Sequence, residues 1–330
     1  MRTKKGDVKY CGVRKKTIQF ADPKLKRGRM NLFSYFVQER YKIHLKKDVF
    51  KKPKPWTRDP VFQQYRFTNV RREHDTETKW VIEHITSNPD LSYKDKLLNC
   101  ILFRLFNKHE TAELLDIPID FSENWDPKDY RHLFKEALEE DPERVFFTGA
   151  FMTAGLRANT KRYLPEDDIE SYMGMRMLWL IKYVIQEGII RQILRCKSQH
   201  EVVDALCSYS GIGRFLGYQI FVDFTYIDEF PFSENEYTIA GPGCVAGLKE
   251  LFEDRDGMTW EECLFYIRDN WTYLNQDTVY GFNPGDVFTD LDPKDRLMNV
   301  MSLENCFCEF SKYVKARHHK GRPRQRYKGV

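Results

Sequence analysis

The stretch Leu206-Cys-Ser-Tyr-Ser-Gly-Ile-Gly-Arg-Phe-Leu-Gly-Tyr-Gln-Ile-Phe-Val-Asp223 constrains this chain more than any other. A helical segment stops near Cys207 or Ser208. Gly211 and Gly213 flank Ile212, and a second helical segment starts at once. Two helices joined by so few residues must turn back on each other. Glycine permits the positive φ that such a turn can require and lets a ligand approach the backbone. The unpaired N–H groups that open the second helix favour an anion. A tight helix–helix turn with no ligand is the competing reading.

The rest of the chain reads as mostly helical. Phe33, Phe36, Val37, Arg40 and Tyr41 fall at helical spacing and predict a helix over Asn31–Lys46, broken by Lys51–Pro55. A further helix is expected over Pro60–Ile85, and Leu97 to Phe106 carries another apolar stripe. Asp126-Pro127 has the cap-then-proline pattern of a helix start reaching Leu138. Met173 to Ile185 forms a Met-rich stripe, which is read as core. Ser198 with Glu201 and Thr259 with Glu262 fit capping boxes. Asp292-Pro293 is expected to open a last long helix running to Val314. Phe146–Phe151 is the best strand candidate.

Charge is distributed unevenly. Residues 1–55 hold 18 Lys and Arg against 4 acids, and residues 316–330 hold 6 against none. The overall charge is only +4, so the remaining middle is acidic. Basic ends on an acidic body suit a polyanion, most often nucleic acid. The eight cysteines include no pair of C-x-x-C units, so a zinc or iron–sulfur site is not expected. His109, His132 and the His318-His319 pair lack metal-ligand spacing; a metal site is not expected, and a need for a divalent ion stays open. No apolar run is long enough to cross a bilayer, and no apolar segment follows the basic start. The expectation is a cytoplasmic protein.

The Gly-Ile-Gly hairpin resembles the helix-hairpin-helix element of DNA repair glycosylases, which holds the DNA backbone without reading sequence. Gly211, Gly213 and Arg214 are the matching DNA-binding residues. Lyase members of that group carry a lysine just after the hairpin. Here Arg214-Phe215-Leu216 stands there, and Phe215 cannot form a Schiff base. Monofunctional members use an aspartate downstream; the nearest acids here are Glu234 and Glu236.

A narrower resemblance rests on four blocks: Arg66-Phe-Thr-Asn-Val-Arg-Arg-Glu-His-Asp75, Phe103-Arg-Leu-Phe-Asn107, Ala240-Gly-Pro-Gly-Cys-Val-Ala-Gly-Leu248 and Glu304-Asn-Cys-Phe-Cys-Glu-Phe-Ser-Lys-Tyr313. In this order they resemble the phage amino acid:DNA transferases, also described as alpha-glutamyl/putrescinyl thymine pyrophosphorylases. A related helical domain accompanies some hydroxymethyluracil DNA kinases. The resemblance implies a mainly α, glycosylase-like helical fold with two lobes around a cleft. It also implies an arm at residues 1–27, a catalytic domain at 28–315 with the hairpin at 198–227, and a basic tail at 316–330. No G-x-x-x-x-G-K-[ST] loop occurs in the chain, so nucleotide-dependent phosphorylation is not expected of it.

The implied reaction replaces the pyrophosphate of 5-pyrophosphoryloxymethyl-deoxyuridine in phage DNA with the amine of an amino acid or polyamine. The amine must be neutral, which calls for a base. The departing pyrophosphate needs cationic or N–H donors. The target base must leave the stack. Glu236, Asp223 and Asp75 are candidate bases. Arg66, Arg72 and Arg104 suit the pyrophosphate or a carboxylate. Asn69, Asn107 and Glu309 are candidate substrate contacts. Gly241, Gly243, Arg322 and Arg324 are candidate phosphate contacts. On one helix, Asn69, Arg72 and Asp75 would share a face. A functional link to a base kinase follows from the resemblance, and no cofactor is firmly implied beyond the amine co-substrate. Excision of a modified base, or DNA binding without catalysis, are the competing functions.

Overall fold

A capping side chain fixes where the longest helix begins. The computed structural model describes residues 21–122, 124–148, 173–276, 288, 298–319, 321, 323, 326 and 327. In it, Asn299 accepts a hydrogen bond from the Ser302 N–H at 2.7 Å and the helix runs Val300–Arg317. The expected start at Asp292-Pro293 lies outside the described residues, and the non-helical Met298 and Asn299 set the start at Val300 instead. The chain divides into two compact units. Unit 1 is Met1–His74 with Thr238–Val330, and unit 2 is Asp75–Tyr237.

Unit 1 contains α1 (Arg29–His44, continuing as a π-turn over Leu45–Val49) and α2 (Pro60–Gln64). Helix numbers follow chain order through both units. Those of unit 1 resume with α11 (Pro242–Leu251), α12 (Trp260–Asp269), α13 (Trp271–Asn275) and α14 (Val300–Arg317). A short antiparallel pair, β1 (Lys24–Leu25) with β2 (Phe252–Asp254), ties the early and late segments together. The α12 start carries the full Thr259–Glu262 capping box.

The core of unit 1 forms around α14. The Phe33 ring of α1 stacks on Phe307 at 4.1 Å and meets Phe310 edge-on at 5.2 Å. α11 lies so close that a Cβ on Gly247 would sit 2.0 Å from the Phe307 carbonyl oxygen. Backbone cannot swing aside as a side-chain tip can. Gly247→Ala is therefore expected to destabilise unit 1 by about 3 kcal/mol, the upper end for overpacking. A thermal melt checks this. An unchanged melting temperature would mean that α11 slides freely on α14.

The helix expected over Pro60–Ile85 is not continuous. After α2 the chain is non-helical from Tyr65 to Arg71, makes a 3₁₀ turn at Arg72–His74, and resumes in unit 2. The cause is tertiary. The Arg40 guanidinium takes the carbonyl of Thr68 at 2.6 Å and that of Asn69 at 2.8 Å. Asn305 of α14 also donates to the Asn69 carbonyl, at 2.9 Å. These carbonyls serve side chains instead of a helix ladder. Asn69, Arg72 and Asp75 consequently do not share a helical face.

Unit 2 contains α3 (Thr76–Val81, with a π-turn over Ile82–Thr86), α4 (Tyr93–Phe106), α5 (His109–Leu114), α6 (Arg131–Glu140), α7 (Met173–Gln186), α8 (Ile189–Ile193), α9 (Gln199–Cys207) and α10 (Arg214–Phe224). Asp126 caps a 3₁₀ turn, Pro127–Tyr130, that leads into α6. Helix α4 is the centre. Ser92 accepts from the Asp95 N–H to start it, and Asn107 ends it in the left-handed conformation at φ 50°. Every residue from Lys96 to Phe106 is buried, as befits a helix packed on all sides by α7, α10 and the α3 region. The buried Asn99 clamps the following loop by exchanging hydrogen bonds with the Ile119 backbone at 2.8 and 2.9 Å. No strand forms at Phe146–Thr148, and residues 149–151 of that expected strand lie outside the described residues.

Candidate functional site

The helix–turn–helix of unit 2 is formed by α9 and α10. Ser198 caps α9, but Glu201 bonds the Lys197 N–H at 2.7 Å rather than completing a box on Ser198. In the turn the Ile212 N–H reaches the Tyr209 carbonyl at 3.1 Å. Gly211 has φ +107°, a value side chains rarely adopt. Gly213 does not need this freedom: its φ is −79° and a Cβ there would meet nothing. Gly217, one turn on, does need its small size, because a Cβ would lie 2.8 Å from the Cys207 sulfur. Arg214 is exposed and 3.6 Å from Asp204. Phe215 is half-exposed beside it.

Behind this hairpin sits a buried ion pair. Asp223 of α10 is fully buried, and Arg104 of α4 meets it with two nitrogens, one bond measuring 2.6 Å. Arg104 also donates to Asn107 and, at 3.2 Å, to Thr78. Burial opposes the charge on Arg104, but Asp223 more than offsets it and raises the guanidinium pKa. A carboxylate locked in this way is a strut between α4 and α10. Glu236 is exposed and accepts from Gln199 at 2.9 Å.

A second polar cluster lies in unit 1, built on α1, the Thr68–His74 segment, the start of α11 and one face of α14. Glu304 is buried, and one of its oxygens accepts the Gly241 N–H at 3.4 Å. Its pKa is raised to about 7 as the net result of opposing influences, of which burial, pushing it up, is the largest. The Gly241 N–H and Arg72 pull it back down, and Glu309 pushes it up again. Arg72 is itself buried. Glu309 is buried and accepts from Lys312 at 2.5 Å. Asn69 donates from its side chain to the His74 carbonyl at 2.7 Å, so it shapes the loop that carries Arg72. Arg40 Nη1 is buried with no hydrogen-bond partner among the described residues.

The start of α11 borders this cluster. Gly241 precedes Pro242, and the Gly243 and Cys244 N–H groups open the helix. Gly243 packs tightly, since a Cβ there would lie 2.5 Å from the Cys308 sulfur. The cluster thus combines a carboxyl that titrates near neutrality, a buried guanidinium and a helix start. That set can take a proton from an ammonium group and hold an anion.

The structure brings Arg72, Gly241, Gly243 and Glu309 into this one region. Arg104, Asn107 and Asp223 form the separate network of unit 2. Asp75 stands at the N-cap of α3. Arg66 is exposed and lies near Tyr327. Arg322 and Arg324 lie outside the described residues. Glu304 was not among the residues singled out from the sequence. Its signal was present in the Glu304–Tyr313 block, but nothing in spacing distinguishes a buried glutamate from the exposed ones.

A third group was also missed. Ligand-type atoms of Glu77, His109 and Glu110 lie within 4.8 Å of one another. The Glu77 oxygens already accept the His109 backbone N–H at 2.8 Å and meet its ring nitrogen at 3.0 Å. Burial works against charge on His109, but Glu77, Glu110 and Glu113 raise its pKa overall. The arrangement reads as a helix-start contact.

Comparison with known proteins places the chain. Residues 27–322 match the family described as the helical domain of 5-hmdU DNA kinase. The chain belongs to that family. It is 27% identical over 322 residues to a 5-hmdU DNA kinase of Bacillus phage SP10, covering 93% of this chain. The chain spans about half, 48%, of that relative's length. No solved structure matches. The mainly helical architecture agrees with this family. Among the described residues, no helix is long and apolar enough to cross a membrane.

Proposed function

We propose that this helical-domain protein is an amino acid:DNA transferase. Its substrate is DNA carrying 5-pyrophosphoryloxymethyl-deoxyuridine, and its co-substrate is a free amino acid or polyamine. The observation that carries this reading is Glu304, a buried carboxyl poised at about 7 beside Arg72 and the α11 start. A base with that pKa exchanges protons efficiently near neutral pH. Glu304 takes a proton from the incoming ammonium group. The freed nitrogen lone pair then forms the C–N bond to the methylene carbon. The C–O bond breaks, and its electrons leave with pyrophosphate. Arg72 and the Gly243 and Cys244 N–H groups stabilise that departing charge.

The target base is flipped out of the duplex. The α9–α10 hairpin, with Gly211, Gly213 and Arg214, grips the backbone without reading sequence. Asp223 and Arg104 support that hairpin, and Glu236 and Asp75 have no part in the proposed proton transfer. The enzyme acts inside the bacterial host, downstream of a hydroxymethyluracil DNA kinase.

The test is direct. The protein is incubated with DNA bearing the activated base and a pool of amines, and the DNA is digested to nucleosides for mass spectrometry. An amine-linked thymidine and released pyrophosphate are expected. Abasic sites with no adduct would sink the proposal in favour of excision. A non-catalytic module is the second reading, favoured by the family's description as a domain of a kinase. It predicts DNA binding with neither product.

A further inference from the structure

Unit 1 carries a basic face that the proposed chemistry does not use. It begins at the loop after α1, Lys51-Lys-Pro-Lys-Pro55, in which all five residues are exposed. An ordinary charge run would be loosely tethered, but this one is closed by three hydrogen bonds. The Lys52 N–H donates to the Lys46 carbonyl at 2.7 Å, and the Trp56 indole N–H donates to the Lys52 carbonyl at 2.7 Å. The Lys46 ammonium donates to the Trp56 carbonyl at 2.6 Å. The loop is therefore pinned at its base while its lysines stay exposed.

Arg326 and Tyr327 lie at the same place. Arg326 pairs with Tyr65 in an isolated antiparallel bridge, and the Tyr327 N–H donates to the Gln64 carbonyl at 3.3 Å. The Tyr327 ring meets Trp56 edge-on at 5.6 Å. The Lys54 ammonium lies 5.5 Å from the Trp56 ring and 5.0 Å from that of Tyr327. Arg326 sits 5.6 Å from the Tyr65 ring. Lysines held over aromatic rings keep their charge free for another partner.

Beside this platform runs a groove of about 860 Å³, lined among others by Arg58, Gln64, Tyr65, Arg317 and His319. Two acids, Glu39 and Asp59, line the groove itself, and a third, Asp48, lies near Tyr327. Asp48 pairs with Lys47 and His44. Asp59 accepts from Tyr35 and Tyr313, and Glu39 accepts from Thr57. Lys51, Lys52, Lys54, Arg58, Arg66 and Arg326 pair with no carboxylate among the described residues.

We propose that the face formed by Lys51–Pro55, Arg58 and Arg326 is a docking surface for the phosphate backbone of duplex DNA, additional to the hairpin of unit 2. The choice of DNA as the polyanion rests on the functional reading above. Pinned, unpaired cations around an open groove hold phosphates without reading bases.

The experiment uses the full chain and a short unmodified DNA duplex, so it is independent of transfer activity. Binding is followed by fluorescence anisotropy between about 50 and 200 mM salt. The combined variant Lys52→Gln, Lys54→Gln, Arg58→Gln and Arg326→Gln is compared with Lys79→Gln, Lys94→Gln, Lys128→Gln and Lys135→Gln, which removes equal charge from exposed sites of unit 2. Each lost phosphate contact flattens the log–log salt dependence by about 0.9, so the first variant, which removes four cations, is expected to flatten it by about 3.6 and to weaken binding at least tenfold. The second should bind within about twofold of wild type. If the first variant melts early, Lys52→Gln with Arg58→Gln, which leaves the tail anchor intact, is measured instead, with a slope change of about 2 expected. Equal losses in both variants would reduce the effect to net charge and overturn the proposal. So would unchanged slopes, or tighter binding to an RNA duplex than to DNA. Loss of transfer with this binding intact would fault only the catalytic reading.

Discussion

Glu304→Gln is expected to cut the proposed amine transfer and yet to make the protein more stable above neutral pH. Both effects come from the same burial. The folded carboxyl has a pKa of about 7 against an ordinary value of 4.5. Between those values the folded chain holds a proton that the unfolded chain has released. Stability therefore falls as pH rises through that window, and the full penalty is present above about 7. Its size is about 3.5 kcal/mol at most, since a tenfold change in proton affinity corresponds to about 1.4 kcal/mol. Glutamine keeps an oxygen for the Gly241 N–H and carries no charge. The variant should thus melt higher than wild type at pH 8, and the two should converge near pH 4.5. Transfer should fall at least about a hundredfold, the lower range for a lost general base. The wild-type rate should rise with pH through about 7. An active Gln variant would remove Glu304 from the mechanism; a higher melting point without loss of activity would leave it a purely structural cost.

Asp223→Ala is expected to have the largest effect on stability. It would leave the Arg104 guanidinium buried beside Asn107 and Thr78 with no counter-charge. Breaking a buried pair from one side costs roughly 3–5 kcal/mol. For a chain of this size that is on the order of a 10 °C fall in melting temperature. The double replacement Arg104→Met with Asp223→Leu removes both charges at similar volume, and should recover most of the loss. A double-mutant cycle of melting curves separates these outcomes. If Asp223→Ala melted like wild type while transfer stopped, Asp223 would return as a catalytic group and the strut interpretation would fail.

The sequence revealed elements wherever local chemistry alone decides them. The α9–α10 turn, the Thr259–Glu262 box, the Asp126 cap and the Met-rich α7 all appear where spacing places them. Helix α4 was legible as an apolar stripe, but not as the all-round buried centre of unit 2, because its buried Lys96, Asn99 and Arg104 look like solvent-facing residues in one dimension. The break in Pro60–Ile85 was invisible for a related reason. It depends on Arg40 and Asn305, which are remote in sequence and take the Thr68 and Asn69 carbonyls. Arg72, Gly241, Gly243 and Glu309 were picked out by resemblance to a family, and the fold groups them. Glu304 was not, because its raised pKa comes from burial, which no motif encodes. Arg104 and Asp223 were both noticed singly, and only the structure joins them across 119 positions.

The division of unit 1 into two stretches of sequence sets an order on synthesis. Unit 2 is contiguous, so every contact it needs is available once residue 237 has been made. Unit 1 is not. Phe33 and Phe36 of α1 wait for Phe307, Phe310 and Tyr313, which the ribosome supplies more than 260 residues later. At roughly 5–20 residues per second, that is a wait of tens of seconds with an apolar helix face uncovered.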